Sequence, residues 1–142
     1  MPAGIAALVA CWLIPLAAWA SPLVLSVDPD GIQRAQIIVD SYRFTPDHLI
    51  VTADAPVELT LKGTAWLIPH NFVLEAPTNN IEASTILREV LPGRTVTVRF
   101  TPTSAGQFKF TCDKKLLFFK SHEARGMVGT LEVRGAVPRT TP

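Results

Sequence analysis

Short runs of β-branched and aromatic residues, set between turn residues, restrict this chain to a stack of short strands. The runs fall at 35–40, 48–52, 57–62, 71–75, 95–101, 107–111 and 128–134, with Pro56, Pro77, Pro92-Gly93, Pro102 and Gly106 as punctuation. The runs show little helical periodicity, and in 107–112 Phe108, Phe110 and Cys112 alternate with Gln107, Lys109 and Thr111, which turns one face of that run to a core. Twelve prolines and eight glycines supply the many chain reversals that such strands need. The pattern predicts an all-β sandwich or barrel.

The ends of the chain read differently. Residues 1–20 hold no charged side chain, are mostly apolar and end in Ala18-Trp19-Ala20, a small-x-small pattern before Ser21. They read as a secretory signal peptide; Leu8-Val9-Ala10-Cys11 offers a second reading, a lipoprotein anchor at Cys11. One domain over 21–134 and a disordered tail over 135–142 complete the expected organisation. A net charge of +1 without acidic or basic bias gives no footprint for nucleic acid. Beyond residue 20 no apolar run approaches the ~20 residues that span a bilayer, so a soluble periplasmic monomer is expected.

Cleavage after Ala20 would leave Cys112 as the one cysteine of an exported domain. Small exported domains usually pair their cysteines, so a lone thiol asks for a chemical role; a buried, inert thiol is the plainer alternative. Nine residues separate Cys112 from His122 and four separate His122 from Met127, while His70 lies further up the chain. Singly, the histidines would be loop residues and Met127 core filler. Together they form a blue-copper donor set: the sulfurs suit Cu(I), the imidazoles suit Cu(II), and a compromise geometry lets one ion change state with little rearrangement. Zinc also accepts Cys and His, but a structural zinc site prefers more of these to a thioether, so Met127 favours copper. Four protein donors leave no open position, which argues against an enzyme.

Strand parity supports the grouping. Cys112 shares the parity of Phe108 and Phe110, His70 that of Phe72 and Leu74, and Met127 that of Gly129, Leu131 and Val133, so all three face one core. Cys112 leaves its strand where His70 and Met127 enter theirs, and antiparallel pairing would gather them at one pole. His48 lacks such company and is expected at the surface. Glu75 has the parity opposite to Leu74 and is not expected to ligate.

From Phe44 to Val133 the chain resembles the cupredoxins, the family of plastocyanin, azurin, amicyanin and rusticyanin. The likeness is carried by Phe44-Thr45-Pro46, the 57–61 strand, Pro69-His70-Asn71, the Pro92-Gly93 turn, the 108–112 strand, and His122 to Met127 followed by Gly129-Thr130-Leu131. It implies a Greek-key β-sandwich with one copper ion at a pole. His70, Cys112 and His122 would be its equatorial ligands, Met127 its axial ligand, and Asn71 would fix the loop around the thiolate. The implied role is single-electron transfer between redox partners, such as a cytochrome or an oxidase, with Cys112 as the path in and a partly exposed His122 edge as the exit. A copper-binding protein for tolerance or delivery to an oxidase, and a metal-free binding module, are the alternatives.

One segment departs from the family. Its familiar members place only a few residues between the Cys and the second His, so residues 113–121 read as an insertion. The insertion carries Lys114-Lys115-Leu116-Leu117-Phe118-Phe119-Lys120. Either its apolar quartet tucks into the core and leaves the lysines solvated, or it docks an acidic redox partner at the copper pole.

Overall fold

The computed structural model describes residues 21–75 and 85–136. Their strands are β1 (Leu23–Val24), β2 (Gln33–Asp40), β3 (Arg43–Thr45), β4 (His48–Thr52), β5 (Val57–Gly63), β6 (His70–Glu75), β7 (Thr85–Val90), β8 (Thr95–Phe100), β9 (Gly106–Thr111) and β10 (Val128–Arg134). A 3-10 turn at Glu123–Arg125 precedes β10. Residues 1–20, expected to be a signal peptide and including Cys11, residues 76–84 and the tail from residue 137 lie outside the described residues.

Two sheets, ordered β1-β4-β10-β9-β6-β7 and β3-β2-β5-β8, stack as a Greek-key sandwich. The parallel neighbours β4 with β10 and β2 with β5 require the chain to cross between sheets rather than turn straight back. Both β6 and β10 run antiparallel to β9, as the gathering of His70, Cys112 and Met127 requires.

Period-two burial holds along β5 and β10, whereas β4 and β6 each bury three residues in a row. Val57, Leu59 and Leu61 on β5 and Leu131 and Val133 on β10 are buried, while the residues between them are not. Phe44, Phe72 and Phe110 meet edge-on or tilted at 5.2–5.9 Å and fill the layer between the sheets. The Phe110 ring needs Gly129 on the facing strand, since a Cβ there would stand 2.1 Å from it and 2.7 Å from the Asp47 carbonyl. Gln33, the buried polar side chain of β2, donates to the Thr52 and Ala55 carbonyls and accepts from the Thr52 amide. Its amide group is thus satisfied although it is out of water.

The seven expected strands are present within two residues of their bounds, and β1, β3 and β7 are additional. β7 forms the edge of the larger sheet and buries only Val90, so its apolar residues do not alternate. β1 and β3 are too short to show a period. His48 departs from its expected surface position. It begins β4, which lies between β1 and β10, and its half-buried ring holds Nε2 3.5 Å from the Glu132 carboxylate.

Candidate metal centre

Three side chains from separate segments converge at one pole of the sandwich. His70 opens β6, Cys112 follows the last residue of β9, and His122 precedes the 3-10 turn; all three are buried. Their donor atoms lie within 4.8 Å of one another. The two Nδ1 atoms stand 3.1 Å apart, and Cys112 Sγ is 3.2 Å from that of His122 and 3.8 Å from that of His70. Donors spread in a plane around one ion at N and S bond lengths of ~2.0–2.3 Å would stand ~3.5–3.7 Å apart. The observed separations bracket that spacing, so the donors suit one ion of this size. His70 Nε2, on the far side of its ring, is buried and has no hydrogen-bond partner among the described residues. The ring is therefore held by packing and by what its Nδ1 faces.

Main-chain bonds explain how the lengthened loop still presents Cys112 and His122 together. Met127 donates to the His122 carbonyl at 3.0 Å, Cys112 to the Met127 carbonyl at 3.2 Å, and Glu123 to the Cys112 carbonyl at 2.9 Å. His122 donates to the Lys114 carbonyl at 2.9 Å, which pinches the loop shut at its base. The extra residues bulge outward beyond that pinch. Met127 is fully buried, and its bonds to Cys112 and His122 set it beside the cluster.

Asn71 restrains the other side of the thiol. Its amide donates to Cys112 Sγ at 3.3 Å, its side chain donates to Asp113 Oδ1 at 2.6 Å, and its side-chain oxygen accepts from the Asp113 amide at 3.1 Å. The two residues that follow His70 and Cys112 are thereby locked to each other. Such a clamp fixes donor positions without using the donors themselves.

Burial sets the electrostatics. It holds the His70 imidazole down at about 4 in the metal-free protein, with the His122 charge adding to the effect and Asp40 opposing it. Burial likewise lowers His122, assisted by Arg125 and Lys114. Both rings are neutral at neutral pH and ready to donate a lone pair. Burial raises the Cys112 thiol, partly offset by the amides of Asn71 and Lys114. A cation arriving at the cluster would favour the thiolate and release that proton.

Tyr42, which the strand pattern passes over as a turn residue, is part of the same pole. Its backbone is left-handed, with φ at 61°, and its ring meets His122 edge-on at 4.9 Å and His70 at 6.2 Å. Arg125 lies over that ring, 4.7 Å from its centroid. His122 is therefore buried beneath this stack, where a partly exposed edge was expected. It is reached through a cleft of about 930 Å³ walled by Tyr42, Leu67, Pro69, Leu116 and Phe119. The apolar quartet 116–119 is exposed rather than tucked into the core. Glu75 is exposed at the end of β6, away from the cluster, as its parity required.

A family model for the cupredoxin-like domain matches residues 4–128. No curated protein matches the sequence significantly. Among solved structures, dithionite-reduced auracyanin from Roseiflexus castenholzii superposes with a TM-score of 0.59 at 18% identity, covering 71% of this chain and 96% of its own. The metal-binding domain of the Streptococcus pneumoniae Cu(I)-exporting P-type ATPase CopA gives 0.56 at 20% identity, covering 82% of this chain and 99% of its own. Auracyanin A from Chloroflexus aurantiacus, a blue copper protein, gives 0.57 at 18% identity over 73% of this chain and 100% of its own. Identities this low establish a shared fold alone. With the sandwich, the polar cluster at its pole and the match over residues 4–128, the chain belongs to the cupredoxin-like family.

Proposed function

We propose that this protein is an exported, periplasmic one-copper protein that passes single electrons between redox partners and performs no enzymatic step. The observation that carries the reading is the buried thiol flanked by two neutral imidazoles, with donor atoms within 4.8 Å. His70, Cys112 and His122 would hold the ion, with Met127 as the weak axial donor. When bound, copper supplies a one-electron Cu(I)/Cu(II) couple. The chain's own part is restraint: the Asn71–Asp113 clamp and the backbone bonds around Met127 hold the donors in one arrangement through both oxidation states. Phe72 and Phe110 beneath, and Tyr42 above, limit water at the cluster.

The test is the visible spectrum of the copper-loaded protein. An intense thiolate-to-copper charge-transfer band is expected, and Cys112→Ser should abolish it while the sandwich stays folded. A colourless oxidised protein with copper bound would overturn the reading. The cleft beside His122 and the likeness to the CopA domain support a second reading, copper handling for tolerance or delivery. That reading requires fast copper release, so a measured off-rate set beside the electron self-exchange rate separates the two.

A further inference from the structure

The pole that carries the cluster also exposes six large apolar side chains. Leu116, Leu117, Phe118 and Phe119 are 65, 72, 96 and 57% exposed, and Trp66 and Leu67 on the β5–β6 connection are 87 and 70% exposed. The two segments belong to one surface, because Leu67 walls the same cleft as Leu116 and Phe119. Exposed apolar groups are ordinary when scattered; six on two adjoining loops form a patch of the kind that meets another phase or another molecule.

The charged side chains that line the cleft, Lys114, Lys115, Lys120 and Arg125, have one sign. Lys114 is paired with Glu89, and the acids flanking the loop are engaged elsewhere, Asp113 by Asn71 and Glu123 by Lys109. Among the described residues Lys115, Lys120 and Arg125 make no ion pair, and Arg125 instead lies over Tyr42. Yet the whole chain has a net charge of only +1, so these cations mark a local face rather than a basic protein.

Shape decides which partner fits. The quartet turns through Leu117, whose φ is 46°, and a Phe119-to-Leu116 main-chain bond of 3.0 Å closes the turn. Consecutive side chains on such a turn fan outward, and a protein partner would need a separate recess for each. A bilayer interface needs none: aromatic and leucine side chains enter the headgroup and acyl boundary while lysines stay at the phosphates. Anionic headgroups also provide the charge that the three free cations lack.

We infer that this pole docks on an anionic bilayer surface, with Phe118 and Trp66 entering the interface and Lys115, Lys120 and Arg125 meeting lipid phosphates. The cleft leading to His122 then faces the membrane, and a redox partner reached there is one seated in the membrane. The inference rests on the exposed loops and holds whether or not the cluster binds copper.

The test uses residues 21–142, which contain every described strand, the described core and Trp66 as their one tryptophan. Copper-free and copper-loaded protein is mixed with vesicles of phosphatidylcholine alone or with added phosphatidylglycerol. Anionic vesicles should sediment the protein and shift Trp66 emission to the blue. Lys115→Glu with Lys120→Glu, and separately Phe118→Ser with Phe119→Ser, should each weaken partitioning roughly tenfold or more at unchanged melting temperature. Phe118→Ser alone, at the most exposed of these side chains, provides the same test should the double variant lose stability. Unshifted Trp66 emission with anionic vesicles, or binding that ignores the Phe substitutions, would overturn the inference. So would a vesicle-independent shift that grows with protein concentration, which marks self-association, or a loss confined to binding of an acidic soluble protein.

Discussion

Met127 and Cys112 are two buried sulfur residues held at one pole in different ways. Cys112 is fixed from two sides, by the Asn71 amide on its sulfur and by the Met127 carbonyl on its own amide. Met127 is held by its backbone and by the core around it. A weak axial donor tunes a copper couple more than it retains the ion, because the three stronger donors dominate affinity. Met127→Gln should therefore keep copper and lower the reduction potential, since an amide oxygen is a harder donor and favours Cu(II). Voltammetry of the copper-loaded variant checks this; an unchanged potential would remove Met127 from the ligand set, and loss of copper would show that it is more than a weak axial donor. The grouping of His70, Cys112 and His122 was legible in the sequence through residue type, order and, for His70 and Cys112, parity. Tyr42 was not, because its place over His122 depends on a left-handed turn between β2 and β3 that brings distant residues together.

At the scale of elements, the loop from Cys112 to His122 is a closed excursion rather than a slack tether. The His122-to-Lys114 bond separates the donor positions from the residues beyond it, and the Asn71–Asp113 clamp ties the loop's start to β6. Asn71→Ala removes both side-chain bonds to the exposed Asp113, whose freed groups water can satisfy, which should cost about 0.5–1.5 kcal/mol. Urea unfolding of the metal-free variant measures that cost, and a broadened or shifted copper spectrum should accompany it. Gly129→Ala should be worse tolerated: the new Cβ would collide with the Phe110 ring, a rigid group backed by Phe44 and Phe72, and with the Asp47 backbone. Thermal melting should show a loss of roughly 1–3 kcal/mol or more, the usual range for overpacking a filled core.

For the whole molecule, burying two imidazoles and a thiol in a small sandwich links stability to protons and metal. The metal-free folded state keeps His70 neutral down to about 4, whereas the unfolded chain takes up a proton near the ordinary 6.5. Between these values the unfolded chain binds more protons, so metal-free stability should rise with pH across roughly 4 to 6.5 and level off above. Lowered His122 acts in the same direction. Melting temperatures of metal-free protein over that pH range check the sign. Copper present at 100 times its dissociation constant should add about 2.7 kcal/mol, and a chelator should reverse that gain as a drop of about 10 °C in melting temperature.

Residue composition, turn punctuation and side-chain parity by themselves determined the interior strands and the inward direction of His70, Cys112 and Met127. These follow from local geometry: side chains alternate along any extended strand, whatever it pairs with. Tertiary structure alone decided the edge strand β7, whose exposed residues carry no alternation, and the half-buried place of His48 between β1 and β10. It also decided the fate of Leu116 to Phe119. An apolar quartet is locally the same sequence whether it fills a core or leaves one. Here Phe44, Phe72 and Phe110 already occupy the space beneath the pole, and the pinch at Lys114 and His122 turns the quartet outward.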